Sequence, residues 1–349
     1  MYNVGGAEPG MGKKRISSAE VAAKAGVSSM TVSRVLRGEN TVRKETRDRV
    51  IAIMMDLGYV PSAAAQALRS NDGKKSASAG LFALIFGSGT ESSVTFFHAI
   101  TRGVERVARE FDLCPLQISL YENPQELWLR LQGLFSIHDL AGALLVGSFD
   151  PEIVTFIKDN VKNIVIVDGP APIGEGIGSV ESGNLEGSVM ALDYLINAGC
   201  RRIKVITVER EHYFAKAMET AASVKRSAEV EIGVHYDCHS CEDAMNMVRE
   251  AWEKGDRFDG LFTNDDFAIG ALKAFRELHI RVPDIVRIVG FDDILYSAFT
   301  DPPLTSVHID QYLLGEEAVR TLVSISRSGE KAKDIKKVIR PSMVIRESA

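Results

Sequence analysis

The 349-residue chain predicts an all-α head at the N-terminus followed by an α/β body of two doubly wound parallel-sheet subdomains. Three observations carry that prediction. From Ser17 to Leu57 the pattern is helical with short loops, whereas from Gly80 onward apolar runs alternate with amphipathic stretches of helical period. Between the two, Ser70-Asn71-Asp72-Gly73-Lys74-Lys75-Ser76-Ala77-Ser78 is small and polar, offers nothing to bury and reads as a linker. The apolar runs are also too numerous for a typical single sheet, so two sheets with a cleft between them are expected.

In the head, Ser17-Ser18-Ala19-Glu20 has the spacing of a capping box, which starts a helix at Ser18. Gly26 supplies the left-handed backbone that stops this helix, and Ser28 caps the next one. In that second helix Val32, Val35 and Leu36 share one face, while Ser29, Met30, Ser33, Arg34 and Arg37 share the other. Arginine forks suit guanine edges or phosphates, serine hydroxyls suit either, and a methionine can touch a thymine methyl. Alone, such a face is ordinary solvated helix surface; in a helix-turn-helix it is a reading surface.

Charge agrees with this division. Residues 1–75 hold 13 basic against 7 acidic residues, net +6, and the remainder holds 28 against 40, net −12. Only the head therefore suits a polyanion.

In the body, strands are expected at Leu81–Phe86, Leu116–Leu120, Gly142–Val146, Ile164–Val167, Ile203–Val208, Glu231–Tyr236, Gly260–Thr263, Ile285–Gly290 and Leu304–Ile309. Helices are expected between most of them, Val94–Phe111 included. Ligands of such folds bind beyond the carboxyl ends of the strands.

Other classes find little support. The longest apolar runs are far too short to span a bilayer, and the N-terminus lacks the order of a signal peptide, so no membrane partner and a cytoplasmic location are expected. Neither a phosphate loop of the G-x-x-x-x-G-K-[ST] type nor H-E-x-x-H nor G-x-S-x-G occurs, so no enzyme and no cofactor are expected. The run Gly169 to Gly178 contains Pro170 and Pro172 and reads as a surface loop rather than a phosphate cradle. Cys238 and Cys241, with His235 and His239 nearby, lack the second half of a zinc knuckle, so no metal is expected. All four cysteines read as reduced thiols.

Several stretches together resemble the lac/gal repressor family of transcription regulators: Val21-Ala22, Ala25-Gly26-Val27-Ser28, Thr31-Val32-Ser33-Arg34-Val35-Leu36 and Gly58-Tyr59-Val60-Pro61 in the head. In the body the resemblance continues through Asn264-Asp265, Gly290-Phe291-Asp292-Asp293, Pro302-Pro303-Leu304-Thr305 and Val344-Ile345-Arg346-Glu347. It implies a disordered leader at 1–14, a helix-turn-helix domain at 15–60, a hinge helix and linker at 61–79, and an effector-binding and dimerisation domain at 80–349. That last domain would consist of two interleaved subdomains resembling periplasmic sugar-binding proteins.

The implied DNA contacts come from Ser17, Ser28, Ser29, Met30, Thr31, Ser33, Arg34, Arg37 and Thr41, with Ala65 and Leu68 in a hinge helix whose leucine wedges into the minor groove. The implied effector contacts are Asp168, Lys216, Asn264 and Asp292, with Phe96 or Phe97 stacking on the ligand. The chain departs from the family in placing Val208, Lys216 and Ala221 where a glycine and an Arg-x-x-Gly-Phe motif are common. Lysine is a point charge without arginine's planar fork. Met30 to Arg37 also resembles the gluconate-responsive branch, so a sugar or a sugar acid is the expected effector. A homodimer on double-stranded operator DNA is expected, and the tail after Arg340 shows no leucine heptads that would pair dimers.

Overall fold

The computed structural model describes residues 16–36, 41–57, 59, 80–87, 94–119, 124–135, 140–170, 177–328 and 335–349. The expected leader, the hinge with Ala65 and Leu68, and Arg37 lie outside the described residues. The first elements are helices α1 (Ser18–Ala25), α2 (Ser29–Leu36) and α3 (Lys44–Leu57). Then follow β1 (Gly80–Phe86), α4 (Val94–Glu110), β2 (Leu113–Ser119), α5 (Pro124–Phe135), β3 (Leu140–Val146), α6 (Pro151–Asn160), β4 (Ile164–Val167) and β5 (Ile177–Ser182). Next come α7 (Asn184–Asn197), β6 (Arg202–Ile206), α8 (Tyr213–Lys225), β7 (Glu231–His235), α9 (Cys241–Glu253), β8 (Gly260–Phe262), α10 (Asp265–Glu277) and β9 (Arg287–Asp292). A 3-10 turn (Leu295–Phe299), β10 (Thr305–His308), α11 (Gln311–Ser328), β11 (Lys336–Ile339) and β12 (Ser342–Val344) complete the chain.

Two compact units emerge. The first comprises Met1–Ser78 with Glu122–Leu140 and Thr155–Asn160. Its three N-terminal helices close over Val21, Val32, Val35, Val50 and Met54, all of them buried. Tyr59 seals this core, and its carbonyl accepts a hydrogen bond from the Gln132 amide of α5.

The second unit, Ala79–Tyr121, Ala141–Val154 and Val161–Ala349, contains both sheets. One has the strand order β11-β5-β4-β3-β1-β2 and the other β12-β10-β9-β8-β6-β7. The pairs β1/β2, β3/β4, β4/β5 and β5/β11 run parallel in the first sheet. So do β6/β7, β6/β8, β8/β9 and β9/β10 in the second, with β12 antiparallel to β10. Parallel strands need both faces covered, which is why β3 and β4 read as unbroken apolar runs, Leu140 to Val146 and Ile164 to Val167. The chain passes between the sheets three times, at Gly183, at Ile309-Asp310 and at Arg340-Pro341. Among the described residues, no helix is long and apolar enough to cross a membrane.

Candidate functional site

The head settles its local geometry with short-range bonds. The Ser17 hydroxyl accepts from the Glu20 N–H (3.2 Å), and the Glu20 carboxylate accepts from the Ser17 N–H (2.7 Å), so the expected capping box is formed. Gly26 then adopts φ 64°, and the Val27 N–H returns to the Ala22 carbonyl at 3.0 Å. Ser28 caps α2 by accepting from the Thr31 N–H at 3.1 Å, and the two hydroxyls lie 3.0 Å apart. Ser17, Ser28 and Thr31 thus spend hydroxyl capacity on the turn. Val32 and Val35 face inward, while Ser29, Met30 and Arg34 are exposed and Ser33 is half-buried beside them. Met30, a large apolar side chain, is 60% exposed on an otherwise polar face. Thr41 is exposed before α3.

In the second unit the carboxyl ends of the strands converge, and acidic groups concentrate there. Asp168 ends β4 at φ 47° and Asp292 ends β9 at φ 101°, both left-handed positions that L side chains rarely take. Asp168 is buried and accepts from the Ser182 N–H at 3.2 Å. Burial, and then the charge of nearby Glu181, raises its pKa despite that bond. Asp292 is pushed well above the usual carboxylate range, first by burial and then by the charges of Asp265, Asp168 and Asp266. Among the described residues no hydrogen bond or ion pair reaches its carboxylate, although its backbone carbonyl accepts from the Gln311 amide at 2.5 Å.

Two residues at the start of α8 cross from one lobe to the other. The Tyr213 hydroxyl donates to the Asp168 carbonyl at 2.5 Å, and His212 Nε2 lies 3.3 Å from the Ser148 hydroxyl. Burial, followed by the charges of Asp168 and Asp292, drives the Tyr213 pKa well above its ordinary value, so the phenol stays a donor. His212 also caps α8 through Nδ1, 3.3 Å from the Phe214 N–H. Burial lowers the His212 pKa.

The expected effector residues separate into groups. Tyr213 is bonded to Asp168 through its hydroxyl, and the charges of Asp168 and Asp292 both act on it. The Asn264 side-chain oxygen accepts from the Phe267 N–H at 3.0 Å and so caps α10, at the carboxyl end of β8 beside these groups in the strand order. Phe96 is buried in the hydrophobic core, with Phe97 set edge-on to it at 5.1 Å and partly buried. Lys216 lies half-exposed on α8, paired with Glu211 at 2.8 Å.

Tyr213 and His212 had no place among the expected contacts, because nothing in the local pattern distinguishes an aromatic helix start from an ordinary one. Asp265, from the Asn264-Asp265 stretch that carries part of the resemblance, is a buried hub, accepting from the Ile294 N–H (2.9 Å) and the hydroxyls of Ser297 (2.6 Å) and Ser306 (2.7 Å). Burial outweighs these bonds and lifts its pKa to about 7. Beside it, Asp293 pairs with Arg346 at 2.7 Å and His308 at 3.0 Å. Burial alone would raise Asp293, but those two partners hold it low, and Asp293 in turn raises His308.

Family models match both parts of the chain: residues 19–62 fit the bacterial regulatory proteins of the lacI family, and residues 192–349 fit a periplasmic binding protein-like domain. The HTH-type transcriptional repressor PurR of Mannheimia succiniciproducens is 30% identical over 344 residues, covering 94% of this chain and 97% of that protein. The chain belongs to the lacI family. The ribose operon repressor of Halalkalibacterium halodurans is likewise 30% identical over 312 residues, covering 87% of this chain and 88% of its own length. Among solved structures, the regulator CelR in complex with cellobiose superposes with a TM-score of 0.69 at 25% identity, covering 96% of this chain and all of that one. The lac repressor dimer bound to operator and an anti-inducer gives 0.62 at 21%, covering 96% of this chain and 99% of its own, a likeness of fold. As a lacI-family member the chain is a DNA-binding transcriptional repressor under small-molecule control and not an enzyme.

Proposed function

We propose that α2 enters the operator major groove with Ser29, Met30, Thr31, Ser33 and Arg34. The same proposal seats a small polar effector among Asp168, Tyr213, Asn264 and Asp292, where its binding changes operator affinity. The partition of α2 carries the first half: Val32 and Val35 anchor it, and a mixed polar and apolar face is left outward. A B-DNA major groove admits a helix presenting such side chains. Arg37 and Thr41 are assigned to the same contact, with Ser17 and Ser28 at the helix starts. Ala65 and Leu68 are assigned to the hinge.

For the cleft, the Tyr213 bridge to Asp168 is the element a ligand would bias. A ligand that competes for this bridge favours one lobe arrangement over the other, and linkage requires operator DNA to change ligand affinity by the same factor. The cellobiose bound by CelR supports a carbohydrate-sized occupant.

The protein acts in the cytoplasm as a homodimer. Leu295, Tyr296 and Phe299 support a face for the second copy, being 68%, 55% and 79% exposed on one short turn. Beside Thr300 a surface cavity of about 550 Å³ is lined in part by Met245, Ile269 and Leu272.

A thermal-shift panel of sugars and nucleobases on the full-length protein tests the cleft. A ligand at a hundredfold above its Kd adds about 2.7 kcal/mol of stability. The expected result is a stabilising ligand whose effect disappears in Asp292→Ala while operator binding persists. A hit that stabilises the variant equally places the site elsewhere.

A further inference from the structure

His212 and Tyr213 stand side by side at the start of α8, their rings 4.4 Å apart, and each reaches into the other lobe. Tyr213 goes to the Asp168 carbonyl at the end of β4, and His212 goes to Ser148, which follows β3. The imidazole carries two bonds at once. Its Nδ1 lies 3.3 Å from the Phe214 N–H and caps the helix, and its Nε2 lies 3.3 Å from the Ser148 hydroxyl.

A backbone N–H only donates, so Nδ1 is the bare, accepting nitrogen. In a neutral imidazole the one proton then sits on Nε2, which donates to Ser148. The cap fixes the tautomer, and the tautomer fixes the direction of the bridge between the lobes. A proton added at Nδ1 sets donor against donor at the Phe214 amide and places a positive charge at the positive end of the α8 dipole. The ring must turn away from the amide. Because both bonds belong to one rigid ring, the Ser148 bridge leaves with the cap.

The surroundings do little to hold that second proton. Burial keeps the His212 pKa below its ordinary value, against the charge of Glu209. The latched form is therefore complete above the ordinary imidazole value and is lost as pH falls through the lowered one. The Glu209 carbonyl accepts from the His212 N–H at 2.9 Å, while its carboxylate lies 3.4 Å from His239 Nδ1. Of the other charged side chains on this segment, Lys216 pairs with Glu211 at 2.8 Å and Arg210 sits over the Tyr236 ring at 4.5 Å. Across the cleft Ser148 brings a hydroxyl, and Asp168 meets the neighbouring Tyr213.

Resting on the cleft reading above for its use, we infer that His212 is a proton-operated latch between the lobes. Neutral, it caps α8 and holds Ser148; protonated, it drops both and lets the cleft open, so effector control of operator binding weakens in acid. It is a positioning residue, acting through α8 and Ser148.

Amide hydrogen exchange on the ligand-free full-length protein, from about pH 8 to about pH 5 and corrected for the intrinsic rate, reads the latch without any effector. In the wild type, exchange at residues 147–149 and in the first turn of α8 should rise together as pH falls, by roughly 2- to 30-fold, the span of a lost helix cap. His212→Asn keeps a capping oxygen where Nδ1 stands but is too short for Ser148. Its first turn should stay protected while 147–149 exchanges fast at every pH, and Ser148→Ala should behave in the same way from the other side. Nitrogen-15 spectra of histidine-labelled protein should show a bare Nδ1 on His212 at neutral pH.

Corrected exchange that ignores pH in the wild type, wild-type protection of 147–149 in either variant, or a proton on Nδ1 at neutral pH overturns the latch. None of these results touches the cleft assignment itself, which stands or falls on the ligand panel with Asp292→Ala.

Discussion

Gly290→Ala tests how the cleft wall is built. A Cβ on Gly290 would lie 1.9 Å from Asp265 Oδ1 and 2.9 Å from Leu304 Cδ2. Neither neighbour yields easily, because Leu304 is buried in the core and Asp265 is tied to three donors. The oxygen that must retreat is the one that accepts from Ser306, so the variant loses that bond and leaves a buried acceptor and hydroxyl poorly matched. Bonds to charged groups contribute about 1.5–3 kcal/mol each, and a stranded partner adds about 1 kcal/mol or more. The expected loss is about 2–4 kcal/mol, which at roughly 2–4 °C per kcal/mol for a domain of this size lowers Tm by about 5–15 °C. Urea unfolding followed by circular dichroism gives the free energy, and scanning fluorimetry gives the Tm. A variant within 1 °C of wild type, by roughly the resolution of such a scan, would show that Asp265 does not depend on the space at Gly290 and that the hub is misjudged.

Other consequences are as specific. Arg34→Ala should weaken binding to a selected operator by roughly 5- to 150-fold, the 1–3 kcal/mol of a bidentate base contact, with a much smaller loss on random duplex. Equal losses by fluorescence anisotropy would reassign it to phosphate. Gly26→Ala forces φ 64° on a residue with a Cβ although nothing crowds that position, so about 1 kcal/mol of head stability should be lost. A head Tm unchanged in the variant would mean the turn had relaxed.

Stability of the body should fall as pH rises from about 4 to about 7 through Asp265, and further above the ordinary imidazole range through His308. Asp265, raised from 3.8 to about 7, and His308, raised by Asp293, both stabilise the fold below their unfolded values and lose that contribution as pH rises through their folded ones. A flat profile, or one rising with pH, would contradict both environments. Tyr213→Phe removes the lobe-bridging hydroxyl and should speed lobe opening, read as increased amide exchange at the ends of β4 and β6. Exchange identical to wild type would remove Tyr213 from the link.

Much of this architecture is visible in local pattern. The capping box at Ser17 and the Gly26 stop are short-range chemistry, and the structure forms them where the spacing places them. Buried parallel strands such as Leu140 to Val146 announce themselves as apolar runs. The strand β5, Ile177–Ser182, does not, because Gly178, Ser179 and Glu181 break its apolar character. It is held by pairing with β4 on one side and β11 on the other, contacts made across long stretches of chain. β11 and β12 escape for the same reason, being short and defined by their partners.

The cleft was legible as chemistry but not as arrangement. Asp168 and Asp292 follow from the family pattern, yet which acids meet, which are paired off and which stand bare depends on tertiary contacts. Asp265 and Asp293 differ from Asp292 only in their partners: three donors for one, Arg346 and His308 for the other. Lys216 shows the converse, since its charge is legible and its pairing with Glu211 is not.

Selection of randomised duplexes by the full-length protein probes the central claim most directly. The account predicts enrichment of a pseudo-palindrome with two half-sites, with enrichment lost in Arg34→Ala and altered when the effector is added. Recovery of an unenriched pool at moderate salt, with and without candidate effectors, would contradict it.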